Sequence, residues 1–288
     1  MPNNPLDPTA MNNLPTLHET VNIHGLRADK SLGQHFLLDL NLTRSIARLA
    51  KPLDGVNVAE IGPGPGGLTR ALILEGAERV LAVEMDDRFL PVLDDIASAS
   101  GRLDVHHGDA LRLNLAEAMP GPRKIVANLP YNVGTKMLID WMTASPRFWE
   151  QMVLMFQLEV AERICAQPGE KAYGRLAVLC QSIGACRIAM EVPARLFTPP
   201  PKVDSAVVVI DPLDAPFKDL KGLGELTHAC FGQRRKMVRA SLKSYAKRKN
   251  IDLDSWFSDA GVNPQARPET LSVTQFQTLC TAANSERP

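Results

Sequence analysis

Asn128-Leu129-Pro130-Tyr131 puts a planar amide, a stiff proline corner and an aromatic ring on four consecutive residues. Such a set can hold a flat nucleobase by its exocyclic amine. The phenol ring offers a stacking face, while the Asn128 amide oxygen and the Leu129 carbonyl can accept the amine protons. Two carboxylates upstream suit a nucleoside. Glu84 ends an apolar stretch where an acid can chelate ribose hydroxyls, and Asp109, in Gly108-Asp109-Ala110-Leu111, can accept from an adenine amine. Before both comes Glu60-Ile61-Gly62-Pro63-Gly64-Pro65-Gly66-Gly67-Leu68-Thr69, whose glycines let a ligand approach bare backbone. Dinucleotide sites use similar turns. Here Pro63 and Pro65 remove N–H groups that would cradle a pyrophosphate. A ribose and an adenine without a phosphate cradle point to S-adenosylmethionine.

These groups need strand ends to carry them. Apolar, β-branched runs at 56–61, 79–84, 103–107, 124–127 and 152–157 predict strands. Helical spacing predicts helices over 40–50, 68–74 and 86–98. The alternation implies an α/β fold, a doubly wound parallel sheet covered on both faces. A later strand at 203–210 is expected to close one edge. Beyond Asp211-Pro212 strand signals vanish, and a smaller all-α domain is expected over 213–288. The Asn-, Pro- and Thr-rich residues 1–26 read as a mobile tail, leaving 27–212 as the domain that holds the site.

Composition removes other classes. Hydrophobic residues make up 45% of the 288 and charged residues 22%, values typical of a globular protein. The formal net charge is zero, so any anion-binding surface must come from local clustering. Five cysteines without a C-x-x-C pair read as buried thiols in a reducing compartment, neither a disulfide framework nor a zinc site. His106 and His107 are neighbours on a strand, point to opposite faces and cannot easily share an ion, so no metal is expected. No apolar run reaches the roughly 18 residues of a membrane helix. The first 26 residues contain Asp7 and Glu19 and no Arg or Lys, so neither a secretory signal nor a basic transit peptide is expected. A cytoplasmic monomer is expected.

Taken together, the motifs resemble the small-subunit rRNA adenine dimethyltransferase family. The likeness runs from Lys30 to about residue 275. In family order come Ser31-Leu32-Gly33-Gln34-His35-Phe36-Leu37, the 60–69 loop, Glu84, Asp109 and the 128–131 tetrapeptide. Gln157-Leu158-Glu159-Val160-Ala161, Tyr173-Gly174-Arg175-Leu176, the 197–205 segment and Gln233-Arg234-Arg235-Lys236 follow. The resemblance implies S-adenosylmethionine contacts at Gln34, His35, Leu37, Gly62, Gly64, Glu84, Asp109, Ala110 and Asn128. It implies a target-base pocket from Asn128, Leu129, Pro130 and Tyr131, with Phe197 on the other face of the base. The implied product is N6,N6-dimethyladenosine at two adjacent adenosines near the 3′ end of 16S rRNA. Related alternatives are a large-subunit rRNA adenine N6-methyltransferase and a non-catalytic ribosome-assembly factor. Two departures bear on RNA contact: Leu158 stands where the family usually carries lysine, and Asp29-Lys30 replaces a paired basic dipeptide.

The cations concentrate late in the chain. Arg234, Arg235, Lys236, Arg239, Lys243, Lys247, Arg248 and Lys249 form a run with no acid inside it. Arg235, Arg239, Lys243 and Lys247 are spaced to line one helical stripe. Like charges at i, i+4 cost about 0.2–0.5 kcal/mol per pair, so the stripe favours an anionic partner such as RNA phosphate.

Overall fold

The computed structural model describes residues 10–29, 33–131 and 133–284. The expectations for residues 1–9 and for Lys30, Ser31 and Leu32 lie outside them. The chain divides into two compact units, one of residues 1–158 and 188–210, the other of residues 159–187 and 211–288.

The first unit is built on strands β1 (Phe36–Leu37), β2 (Asn57–Ile61), β3 (Arg79–Glu84), β4 (Leu103–His107), β5 (Arg123–Asn128), β6 (Gln151–Gln157), residues 188–192 of β7 (Gly184–Val192), β8 (Phe197–Thr198) and residues 205–210 of β9 (Ser205–Pro212). Seven of them form one sheet in the order β4-β3-β2-β5-β6-β9-β7. The pairs from β4 to β6 are parallel, and β9 runs antiparallel to β6. Every residue of β2 is buried, as are Val80 to Glu84 of β3. Val, Ile and Ala dominate them because both faces are covered, by helices such as Gly67–Leu74 and Leu90–Ser100. From β2 the chain steps outward to β3 and β4, then returns to place β5 on the other side of β2. The order thus reverses between β2 and β5, and the carboxyl ends of those strands flank a crevice suited to a ligand.

Three features differ from the sequence expectations. β9 does not close an edge; it lies between β6 and β7, and β7 is the strand beyond it. β7 is mostly half-buried or exposed, so it lacks the dense apolar run that marks the inner strands. Part of the expected tail is helical. Helix Leu17–Ile23 opens with a capping box: the Glu19 N–H donates to the Thr16 hydroxyl at 3.3 Å, and the Thr16 N–H to the Glu19 carboxylate at 2.8 Å. The spacing Thr16-x-x-Glu19 was the available signal. The helix is held by Leu17, which is buried, and by the buried Arg70, whose guanidinium donates to the Pro15 carbonyl at 2.6 Å and the Thr20 hydroxyl at 3.1 Å.

The second unit also departs from a boundary near residue 212, because residues 159–187 belong to it. The Tyr173 hydroxyl donates to the Leu271 carbonyl at 2.9 Å, and the Gly169 N–H to the Glu269 carbonyl at 2.7 Å. Its helices include Arg175–Gln181, Leu220–Phe231, Val238–Lys249, Leu253–Ala260 and Val273–Asn284. Trp256 anchors their core, stacked on Tyr245 with ring centroids 5.8 Å apart and donating its indole N–H to the Leu279 carbonyl at 2.9 Å. All five cysteines are free thiols.

Candidate active site

A cavity of about 330 Å³ opens at the carboxyl ends of β2, β3, β4 and β5, within the first unit. Its floor is the glycine loop. Gly66 caps helix Gly67–Leu74 with φ of 78°, a conformation costly for any residue with a side chain. A Cβ there would also lie 2.3 Å from the Ile96 side chain, and one at Gly67 would lie 2.7 Å from the Leu37 carbonyl oxygen. The loop is therefore pinched between its neighbours, and its remaining open face is the cavity.

Glu84, at the end of β3, is buried and accepts three backbone N–H groups. Those of Met85 and Asp86 reach one oxygen, both at 2.9 Å, and that of Gly64 reaches the other at 3.1 Å. Burial raises its pKa, opposed by these donors. The carboxylate is thus fixed against both the loop and the cavity, with lone pairs left for hydroxyl donors. Asp109 accepts the Leu111 N–H at 2.9 Å with one oxygen, and the other lies 3.6 Å from Arg112, beyond a normal hydrogen bond. Ala110 lines the wall beside it. Gln34 sits at the rim, donating to Asp86 at 2.8 Å and accepting the Asp29 N–H at 2.9 Å. Hydrogen bonding from Arg88 holds the Asp86 carboxyl down at about 2.

Sequence reasoning did not single out Glu60 as a site residue. It is 1% exposed on β2, lines the same cavity, and one of its carboxyl oxygens has no hydrogen-bond partner among the described residues. Burial pushes its pKa up to about 8. Its signal was an acid inside an otherwise apolar strand. A cationic ligand would supply what this group lacks.

The tetrapeptide follows directly from β5. Asn128 is the last strand residue, Leu129 is buried, and the Pro130 carbonyl accepts the N–H groups of Val133 at 3.2 Å and Gly134 at 2.9 Å. That turn delivers Tyr131 to the cavity wall, with Asn128, Leu129 and Pro130 beside it. His35 stacks on Tyr131, ring centroids 6.1 Å apart and planes 29° from parallel. Its Nδ1–H donates to the Pro199 carbonyl at 2.7 Å. Phe197 is not brought to the cavity. β8 pairs with β1, Phe197 opposite Leu37, and the Phe197 ring is 2% exposed within the hydrophobic core. An aromatic beside a strand pair gains more from burial than from facing water.

Residues 25–285 match the family described as ribosomal RNA adenine dimethylase. The chain belongs to that family. It is 52% identical to the ribosomal RNA small subunit methyltransferase A of Maricaulis maris, over 95% of this chain and 96% of the relative. Among solved structures, a dimethyladenosine transferase from Plasmodium falciparum superposes with a TM-score of 0.74 at 24% identity, over 85% of this chain and 96% of its own. The 23S rRNA methyltransferase ErmE superposes at 0.66 with 27% identity, over 87% and 100%. The first unit is a Rossmann-like fold, and the enzyme is an S-adenosylmethionine-dependent methyltransferase. The cavity fits that cofactor: Glu84 and Asp109 are acceptors for hydroxyls and an amine, and the unpartnered Glu60 oxygen suits a cation. When bound, the cofactor supplies a methyl group on a positively charged sulfur. Among the described residues no cluster of three or more His, Cys, Asp or Glu side chains could hold a metal ion, and no helix is long and apolar enough to cross a membrane.

In the second unit the basic run is divided. Arg234, Arg235 and Lys236 lie in the turn before helix Val238–Lys249, so Arg235 does not extend the helical stripe. Three cations are paired with acids distant in sequence: Arg234 with Glu269 at 2.9 Å, Arg239 with Asp254, and Lys249 with Glu225 at 3.9 Å. Among the described residues no ion pair engages Arg235, Lys236, Lys243 or Lys247, and all four are exposed.

Proposed function

We propose that this enzyme dimethylates N6 of two adjacent adenosines near the 3′ end of 16S rRNA in the small ribosomal subunit, a cytoplasmic step of ribosome biogenesis carried out by a monomer. The observation that carries the reading is the placement of 128–131 on the wall of the cavity that also holds Glu84 and Asp109. A base held by the tetrapeptide would meet a methyl donor held by the two acids. The 52% identity to a small subunit methyltransferase A over nearly the whole chain supports the choice of substrate.

Adenine N6 is a weak nucleophile because its lone pair is delocalised into the ring, whereas a sulfonium methyl is strongly electrophilic. Alignment and a suitable polar setting are what the residues must supply. Asn128 and the Leu129 carbonyl would accept the N6 protons and turn the lone pair toward the methyl group. Tyr131 would stack on the extruded base, a contact worth about 1–3 kcal/mol. Glu84 would take the cofactor ribose and Asp109 its adenine, with Gln34, His35, Leu37, Gly62, Gly64 and Ala110 completing the wall. Arg235, Lys236 and Lys243 would contact RNA phosphate, whereas Arg234 and Arg239 must first leave Glu269 and Asp254.

Likeness to ErmE favours a second reading, methylation of large-subunit rRNA. Incubation with labelled cofactor and unmethylated small or large subunits separates the two. Label in N6,N6-dimethyladenosine of 16S rRNA is expected; label confined to 23S rRNA would establish the alternative, and none in either would leave an assembly factor. Asn128→Ala is expected to abolish transfer while the melting temperature barely moves.

A further inference from the structure

To serve as a stacking platform, the Tyr131 ring must be held in one orientation. Pro130 and the turn to Gly134 fix the backbone. The side chain could still rotate about its two torsions, and Tyr131 is only half-buried. Its far end, however, is tied down. The Tyr131 hydroxyl lies 2.9 Å from the Ser205 hydroxyl, and Ser205 is fully buried as the first residue of β9, in register with Gln157 of β6. The anchor therefore sits at the buried first residue of an interior strand of the sheet. On its near side the ring meets His35, itself held by the Pro199 carbonyl. Both supports come from the stretch that includes Phe197, so this stretch reaches the site through Pro199 and Ser205.

We propose that Ser205 is a positioning residue for methyl transfer, orienting the Tyr131 ring through the hydroxyl pair so that the stacked adenine presents N6 to the methyl donor. The inference rests on the adenine-methylation reading. Stability alone does not call for this pair, since replacing both members of a buried hydrogen bond by apolar groups is often nearly neutral. Orientation does call for it, because reacting groups must be held within about 10–20° of their productive geometry.

The test compares full-length Ser205→Ala, Tyr131→Phe and the double variant, using unmethylated small subunits and labelled S-adenosylmethionine. Tyr131→Phe keeps the stacking ring and removes only the hydroxyl. Each single variant should lower kcat about five- to tenfold, and the double should fall no further. Cofactor affinity by calorimetry should stay within about twofold, and KM for subunits should change little. Multiplying losses in the double variant would overturn the proposal. So would a double variant whose melting temperature and kcat both return to wild type, the pattern of a merely structural bond. A parallel loss of cofactor affinity would also overturn it. These outcomes differ from failure of the underlying reading, in which the wild-type protein itself places no label on adenine N6.

Discussion

Glu84→Gln changes the charge of the group proposed to hold the cofactor ribose while nearly preserving its shape. One Glu84 oxygen accepts from Met85 and Asp86, and the other from Gly64. A glutamine oxygen can fill only one of these positions. With the oxygen kept on the two-donor side, the new NH₂ faces the Gly64 N–H across about 3.1 Å, donor against donor. The loop loses one hydrogen bond, and the ribose loses part of its acceptor. Hydrogen bonds to a charged group are worth about 1.5–3 kcal/mol, so a loss of roughly 2–4 kcal/mol in binding is expected. That corresponds to a dissociation constant raised about 30- to 1,000-fold. Calorimetry with S-adenosylmethionine and with S-adenosylhomocysteine should show the same loss, because both carry the ribose. Wild-type affinity should weaken as pH falls through the raised Glu84 pKa, since ribose hydroxyls favour the ionised form, and the variant should lack this dependence. A change under fivefold, or a loss confined to one ligand, would refute the role given to Glu84.

Glu75, at the end of the helix that follows the glycine loop, meets Arg44 at 2.7 Å, Arg48 at 3.0 Å and Lys51 at 2.9 Å. Burial raises its pKa, but these cations overcome that effect and bring it from 4.5 to about 2. The stabilisation is present above pH 4.5 and disappears as pH falls toward 2. Because the cations are themselves partly exposed, about 1–2 kcal/mol is expected rather than the roughly 3 kcal/mol the full shift implies. Denaturant titrations should show Glu75→Gln losing about 1 kcal/mol less than wild type between pH 7 and pH 3, the part of the stabilisation gone by that pH; parallel losses would contradict it. Phe197→Leu should cost about 1–3 kcal/mol of stability and leave kcat within about threefold. A hundredfold fall in kcat at unchanged stability would put the ring against the target base.

The groups legible in the sequence are those whose position depends on a local change of backbone. Glu84, Asp109 and Asn128 each stand where an apolar run gives way to a turn, and parallel strands bring such points to one edge of the sheet. What remained hidden depends on contacts between distant residues. Nothing near Arg239 announces Asp254, and nothing near Arg70 announces Thr20. The place of β9 inside the sheet follows from packing over the whole unit, as does the burial of Phe197. Residues 159–187 lie between segments of the first unit in sequence, so composition could not assign them to the second.

The position of β9 also bears on how the protein is made. A nascent chain emerges in sequence order, yet β6 gains the neighbour on its outer side only when residues 205–212 appear, some fifty residues later. Residues 159–187 wait longer still, since Tyr173 finds the Leu271 carbonyl only 98 residues further along the chain. For much of elongation β6 therefore exposes an unpaired, strongly apolar edge, the kind of surface on which chains aggregate. Anything that slows translation between residues 157 and 205 lengthens that exposure, so yield of folded protein should be most sensitive to ribosome pausing in that window.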